Sequence, residues 1–386
     1  MYKKINYVFI IESYNDLDMT CPIIWKLSTD QSSNIIIVNV SPDLFSKDDP
    51  RILFINKSPC VQYLEIFKNF KIVDDISKYI YSKLKIGYFH RKFLNSFLKY
   101  SIKKFEKIPI INGLPTYVFV SYFLDHNAVV TAIAWAEKYS FIKVFNNHGI
   151  TPFVVNNNSE IKQRVPLFDI CIFNHNSEKN LPNFKNKNIL KIYAVPRFSF
   201  EWSAKLNEIY QLKDKIKKHK NFRITFMLSK WLDKDDKNLI ISAIKKTSKM
   251  KDTEVIIKPH TRGMVVRDSL PSNVFIANDK YHSREIIHKS DVIIFTRSSI
   301  FLDAILINKP VIHLSYATKV NLASIDLNCC KANNEKDLFD KLLYIRDGNK
   351  IYTQKERANC ISFYTGMNNN MMLDAISNEI KTLAFN

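Results

Sequence analysis

Two clusters within the stretch from Val255 to Tyr316 decide how this chain reads. The first is Glu254-Val255-Ile256-Ile257-Lys258-Pro259-His260-Thr261-Arg262-Gly263. The second is Ser290-Asp291-Val292-Ile293-Ile294-Phe295-Thr296-Arg297-Ser298-Ser299-Ile300-Phe301-Leu302-Asp303-Ala304, closed by Lys309-Pro310-Val311-Ile312-His313-Leu314. Each opens on a short apolar, β-branched run and then turns polar at once. A buried parallel strand whose carboxyl end faces a ligand crevice has this pattern.

Val255-Ile256-Ile257 is too short for a helix and is read as a strand that Pro259 ends. Lys258, His260 and Arg262 project from the strand end and the loop after it, two fixed cations and an imidazole suited to an anion. A solvated basic loop is the plain alternative; the place at a strand's carboxyl end favours the ligand. In the second cluster, Thr296-Arg297-Ser298-Ser299 separates a strand from a helix of apolar spacing beginning near Ile300. Such a turn offers hydroxyls and unpaired backbone N–H groups, which together suit a phosphate. Ser is equally a common helix cap, so one of the two serines is expected to cap and the other to meet phosphate. Asp303, one turn further in, is either a partner of Ser299, a ribose contact, or a first-turn acid favoured by the helix dipole.

Working outward, apolar strands alternate with helices along the whole chain. In the first half we expect strands at Asn6–Ile11, Asn34–Val40, Tyr117–Val120, Phe141–Phe145, Leu167–Phe173 and Ile189–Ala194, with helices at Asp16–Ser28 and Ala128–Lys138. Arg51–Asn56 reads as a further strand or part of a loop. A helix is expected from Phe198 to Lys220, its end polar and basic. The second series has strands at Arg223–Leu228, Val255–Ile257, Val274–Ile276, Val292–Phe295 and Val311–Leu314. Its helices are Lys237–Ser248, Arg284–His288, Ile300–Ile307, Leu338–Ile345 and Met372–Leu383. This alternation argues for an α/β protein with two parallel, Rossmann-like sheets. A length of 386 residues suits two domains. We place them at 1–200 and 201–386.

Several motifs in this order resemble the GT-B transferases of bacterial surface-polysaccharide synthesis. The Lys258-Pro259-His260 strand end, paired with the later strand, Ser298-Ser299, apolar helix and Lys309-Pro310-Val311, is similar to their nucleotide-binding half. The nearest families in motif are the CDP-glycerol glycerophosphotransferases and the capsule transferases that use CMP-activated ulosonic acids. Asn147-His148-Gly149-Ile150-Thr151-Pro152 resembles the His-Gly-x-x-Pro segment of the former. Tyr193-Ala194-Val195-Pro196-Arg197-Phe198 resembles a segment that ends the first domain in surface-carbohydrate proteins, with Ala194-Val195 where Gly-Ser is usual. The resemblance implies a GT-B-like fold, two Rossmann-like domains facing across a cleft, with the last helix crossing back to the first. It implies a nucleotide-activated sugar or glycerol donor, cytidine-linked, held by the second domain, and a glycan or lipid-linked acceptor on the first. It implies His148 as the catalytic base, although Asn146-Asn147 supplies no acid where the CMP-ulosonic enzymes commonly have one. Gly149 and Arg197 are supporting candidates, and Arg164 a weaker one. A UDP-sugar transferase or UDP-sugar 2-epimerase shares the architecture and is the alternative.

Composition bounds the partners. The net charge is +20 and 46% of residues are hydrophobic, enough for two cores and favouring an anionic partner. Nucleic acid is a competing partner on charge alone, but no RRM, KH or helix-turn-helix signature is present, and none is expected to bind. The six cysteines have no CxxC or framework spacing, so reduced thiols are expected. The GT-B resemblance implies no essential metal and no resident cofactor, since such enzymes neutralise the leaving phosphate with side chains and helix dipoles; Asp233-Lys234-Asp235-Asp236 reads as helix capping rather than a metal motif. The stretch 81–107 interleaves Lys and Arg with aromatic and aliphatic residues at helical spacing. It is read either as a helix lying on an anionic membrane surface or, more commonly, as a core-facing helix with a basic outer side. No run approaches the ~18 apolar residues of a spanning helix, and a cytoplasmic enzyme peripheral to the inner face of the membrane is the expectation.

Overall fold

The computed structural model describes residues 4–31, 33–41, 47–66, 101–120, 127–146, 168–173, 190–210, 212, 221–229, 236–260, 270–277, 281–322, 325–365 and 371–383. The chain divides into two compact units: Met1–Gly149, Asn157–Trp202 and Thr365–Asn386 form one, Ile150–Asn156 and Ser203–Tyr364 the other.

The first unit runs β1 (Ile5–Ile11), α1 (Tyr14–Ser28), β2 (Ser33–Asn39), α2 (Pro50–Ile55), β3 (Val61–Glu65), β4 (Thr116–Val120), α3 (Asn127–Lys138), β5 (Ile142–Asn146), β6 (Ile170–Phe173) and β7 (Leu190–Tyr193). Its sheet has the order β3-β2-β1-β4-β5-β6-β7, and every pairing is parallel. The central strands are apolar on both faces because helices cover both. One face carries Val8, Ile10, Val118 and Val120 against Phe105 and Trp135. The other carries Phe9 and Phe119, whose rings stack at 4.2 Å. Burying each such ring contributes about 1.5–3 kcal/mol.

The segment 51–56 is neither strand nor loop. Asp49 accepts a hydrogen bond from the Arg51 backbone N–H at 2.9 Å, Pro50 occupies the first turn, and α2 follows. An Asp cap followed by Pro is a helix start, and it overrides the β-like run that comes after. The stretch 81–107 falls mostly outside the described residues. Its end, 101–105, is helical, with Phe105 fully buried 5.6 Å from Trp135, so this part faces the core. No helix among the described residues is long and apolar enough to cross a membrane.

Helix α4 (Phe200–Ile209) begins in the first unit and ends in the second, the division falling between Trp202 and Ser203. The helix expected over Phe198–Lys220 ends at Ile209, while 213–220 lie outside the described residues.

The second unit runs β8 (Phe222–Met227), α5 (Lys237–Thr247), β9 (Thr253–Lys258), β10 (Val274–Ile276), α6 (Ser283–Lys289), β11 (Val292–Phe295), α7 (Ile300–Leu306), β12 (Val311–Leu314), β13 (Lys331–Ala332), α8 (Glu335–Arg346) and α9 (Gln354–Thr365). The strand order is β10-β9-β8-β11-β12-β13, again parallel throughout. Phe226, Ile257, Ile294 and Ile312 join one core with Ile240, Ile244, Leu338 and Leu342 of α5 and α8. On the opposite face Phe295 stacks on Phe301 of α7 at 4.7 Å. Helix α10 (Met372–Leu383) returns to the first unit, where Asp374 pairs with Lys26 at 2.7 Å and Lys381 with Asp30 at 3.0 Å.

Candidate functional site

In both sheets the strand order reverses direction between the first strand of the unit and the fourth: β1 and β4, then β8 and β11. A doubly wound sheet opens a crevice at the carboxyl ends of the strands flanking such a reversal. In the second unit the register shows what meets there. Met227 of β8 is level with Lys258 of β9 on one side and Phe295 of β11 on the other, and Phe295 is level with His313 of β12. The residues just past this row form the carboxyl edge: Ser229, His260, and Thr296-Arg297-Ser298-Ser299.

Lys258 is the last residue of β9 and is only 7% exposed. Its carbonyl accepts from the Leu228 N–H at 3.0 Å, which ties the two strand ends together. His260 is half-buried two residues on. Across the reversal, the hydroxyls of Ser229 and Thr296 meet at 3.0 Å, both buried. This pair fixes the start of the serine turn against the end of β8. Arg297, Ser298 and Ser299 are half-buried.

One of the two serines was expected to cap the helix, and the hydroxyl that meets its first turn is that of Ser298, not of the residue in the cap position. Ser299 occupies that position in a helical conformation, φ −64° and ψ −8°, and its side chain makes no capping bond. Ser298 accepts from the Ile300 N–H at 3.4 Å instead. Helix α7 has seven residues. An anion at this turn would therefore meet side chains and loop N–H groups more than an extended helix dipole.

Asp303 points away from the turn into a buried polar network. Its carboxylate lies 3.5 Å from Nη1 of Arg284, which is 2% exposed. Arg284 also donates to the Ser203 carbonyl at 3.2 Å, to the Ser203 hydroxyl, and to Oδ1 of Asn207 at 3.4 Å. A guanidinium out of water needs a counter-ion and several acceptors, and here α4 and α7 supply them. Asn207 also meets Nε2 of His288 at 2.9 Å. Burial, with Arg284 and Lys309 nearby, pushes the His288 imidazole down to about 4. Burial likewise lowers Lys309, against the opposing pull of Asp291. Lys309 donates to the Ser290 carbonyl at 2.6 Å.

Arg197 lies elsewhere, in the first unit, where it pairs with Asp18 of α1 at 2.9 Å and lies over the Phe198 ring. Asp18 also pairs with the buried Arg51, so Arg197 belongs to an ion cluster that fastens the turn after β7 to α1. His148, Gly149, Arg164 and Arg262 lie outside the described residues, as do Asp233, Lys234 and Asp235. Asp236 caps α5, its carboxylate accepting from Asn238 and Leu239 N–H at 3.0 and 3.1 Å.

The structure thus brings Lys258, His260, Arg297, Ser298 and Ser299 to one edge. It sets Asp303 to structural pairing and puts Arg197 in the other unit. Sequence reading missed Ser229; a hydroxyl directly after an apolar strand, level with Lys258-Pro259-His260, was the available signal. A cavity of about 360 Å³ in the first unit, lined by Ile108, Leu114, Trp135 and Phe141, sits beside Thr116 at the amino edge of that sheet, opposite to where such sheets take ligands.

No family model matches the chain, and no curated protein matches it. Solved structures do. An S. aureus MnaA in a co-structure with UDP superposes with a TM-score of 0.63 at 13% identity, covering 98% of this chain and 96% of that one. The UDP-GlcNAc 2-epimerase of Neisseria meningitidis, bound to UDP-GlcNAc, gives 0.62 at 12% identity over 99% and 100%. A glycosyltransferase of Rickettsia africae ESF-5 gives 0.55 at 15% identity over 100% and 99%. The likeness does not single out the glycerophosphotransferases or the CMP-ulosonic acid transferases whose motifs the sequence resembles. At these identities it establishes architecture: the chain has an α/β, GT-B-like fold built of two Rossmann-like units.

Proposed function

We propose that the second unit binds a UDP-sugar at the carboxyl edge of its sheet, and that the enzyme inverts the sugar at C2. Lys258, His260 and Arg297 would neutralise the diphosphate, with Ser298 and Ser299 donating to its oxygens and Arg262 as a further candidate cation. The observation that carries this reading is the shared edge itself. Cationic and hydroxyl side chains end adjacent parallel strands at the point where strand order reverses, the place where nucleotides bind in such sheets. Fixed donors aimed at the phosphates would stabilise charge as it grows on the nucleotide.

Uridine replaces the cytidine expected from the motifs because nucleotides named with two of the three compared structures are uridine ones. Epimerisation is preferred to transfer because the structure named as a 2-epimerase superposes better than the one named as a glycosyltransferase, 0.62 against 0.55. Transfer to an acceptor is the second reading, in which His148 would be the base and a glycan or lipid-linked hydroxyl the acceptor. The resemblance of Asn147-His148-Gly149 to the glycerophosphotransferase segment supports it.

The two readings separate in one experiment. The protein is incubated with UDP-GlcNAc in deuterated water without acceptor and followed by proton NMR. Epimerisation predicts a second set of sugar signals and loss of the C2 proton signal. Unchanged substrate, with UDP released only when an acceptor extract is added, would favour transfer.

A further inference from the structure

Three of the six cysteines, Cys329, Cys330 and Cys360, lie in the second unit. Cys329 and Cys330 end a 3-10 segment, Ile325–Cys330, immediately before β13. Adjacent side chains normally diverge along such a helix, yet these two sulfurs are 3.8 Å apart. Cys329 is half-buried, while Cys330 and Cys360 are fully buried.

We infer that Cys329 and Cys330 form a thiol-modification site at which a hydroperoxide closes a vicinal disulfide. The more accessible partner reacts first: the Cys329 sulfur attacks the peroxide O–O bond, giving a sulfenic acid and releasing one water or alcohol. The Cys330 sulfur, in van der Waals reach, then displaces the hydroxyl of that sulfenic acid. The S–S bond forms, a second water leaves, and the two thiols together have given up two electrons to the peroxide. The direction is set by access and supported by the hydrogen bond between the thiols. It holds Cys329 below the ordinary cysteine value and, with burial, Cys330 above it. The thiolate is the reactive form.

The product is readily reversed. Adjacent Cα atoms are about 3.8 Å apart, shorter than the usual disulfide span of about 4.4–6.8 Å, and a strained disulfide is easily reduced. Its formation would disturb a defined part of the fold. Lys331 and Ala332 pair directly with His313 and Leu314, and the Ser315 hydroxyl donates to the Ala332 carbonyl at 2.6 Å. The proposal is independent of the nucleotide reading.

The test uses the full chain, reduced and then treated with hydrogen peroxide, with and without dimedone to trap sulfenic acid. Intact mass should fall by two hydrogens, the change should map to the tryptic peptide 320–331, and dithiothreitol should reverse it. Wild-type protein should take up no dimedone, Cys330→Ser should take up one at Cys329, and Cys360→Ser should behave as wild type. A stable dimedone adduct on wild-type Cys329, a bridge mapped to Cys360, or no reaction at Cys329 would overturn the proposal.

Discussion

The Ser229 and Thr296 hydroxyls meet at 3.0 Å, buried, across the two strands where the second sheet reverses its order. Replacing one of them leaves the other without that partner in a dry site, which costs about 1–3 kcal/mol. Thr296→Val should therefore destabilise the second unit by that amount in urea titration. The double variant Ser229→Ala/Thr296→Val should cost less than the two single changes added together. Additive losses would mean that the pair does not interact.

The Arg284–Asp303 pair makes a larger prediction. Arg284→Met strands a buried carboxylate and should cost about 3–5 kcal/mol. Asp303→Asn in the same background should recover part of the loss, because the uncompensated charge is gone. A cost below about 1 kcal/mol for Arg284→Met would show that Asp303 reaches water or another cation.

Arg357 of α9 closes the other end of α7. Its guanidinium donates from Nε to the Ile305 carbonyl and from Nη2 to the Leu306 carbonyl, both at 2.7 Å. Both carbonyls belong to the last turn of α7, where intrahelical donors run out; the Ile305 carbonyl also accepts from the Asn308 N–H at 3.0 Å. Arg357→Ala should cost about 1.5–3 kcal/mol, the range for bonds from a charged donor. Arg357→Lys should restore only part of this, since an ammonium cannot fork to two carbonyls as a guanidinium does. Complete rescue by Lys would point to charge alone.

His288 predicts a pH dependence. Its folded value is about 4 against an ordinary 6.5. The unfolded chain therefore binds a proton in this window that the folded protein does not, and stability falls with pH from about 6.5 towards about 4. Above about 6.5 the contribution is complete. Melting temperatures between pH 7 and 4.5 should fall less steeply for His288→Asn than for wild type. Parallel curves would assign the acid sensitivity to other groups.

Much of the architecture was legible in the sequence, for physical reasons. Parallel strands buried on both faces leave uninterrupted β-branched runs, so Val292–Phe295 and Val311–Leu314 were found at their observed bounds. Elements that depend on other signals were lost. Strand β3, Val-Gln-Tyr-Leu-Glu, lies at the sheet edge and is only partly buried, so its pattern is weak. Helix α9 gathers Cys360, Ile361, Phe363 and Tyr364 near one end and shows no apolar stripe. Helix α6, by contrast, was found within one residue at each end, although it begins on a histidine: His282 accepts from the Arg284 N–H at 3.2 Å, a role that Ser, Thr, Asp or Asn usually fills. At the candidate site, the strand ends that carry Lys258 and Thr296-Arg297-Ser298-Ser299 were readable because polarity changes abruptly after an apolar run. The pairing of Asp303 with Arg284 was not, since nothing in local spacing announces a contact between side chains 19 positions apart.

The central claim is that the carboxyl edge of the second sheet holds a uridine nucleotide. Its most direct test is calorimetric titration of UDP, CDP and CMP into the wild-type protein and into His260→Ala, with thermal melts to confirm that the variant is folded. Selective binding of UDP, weakened at least tenfold in a folded His260→Ala, is the predicted result. Tighter binding of CDP or CMP, or UDP binding unchanged by the substitution, would contradict it.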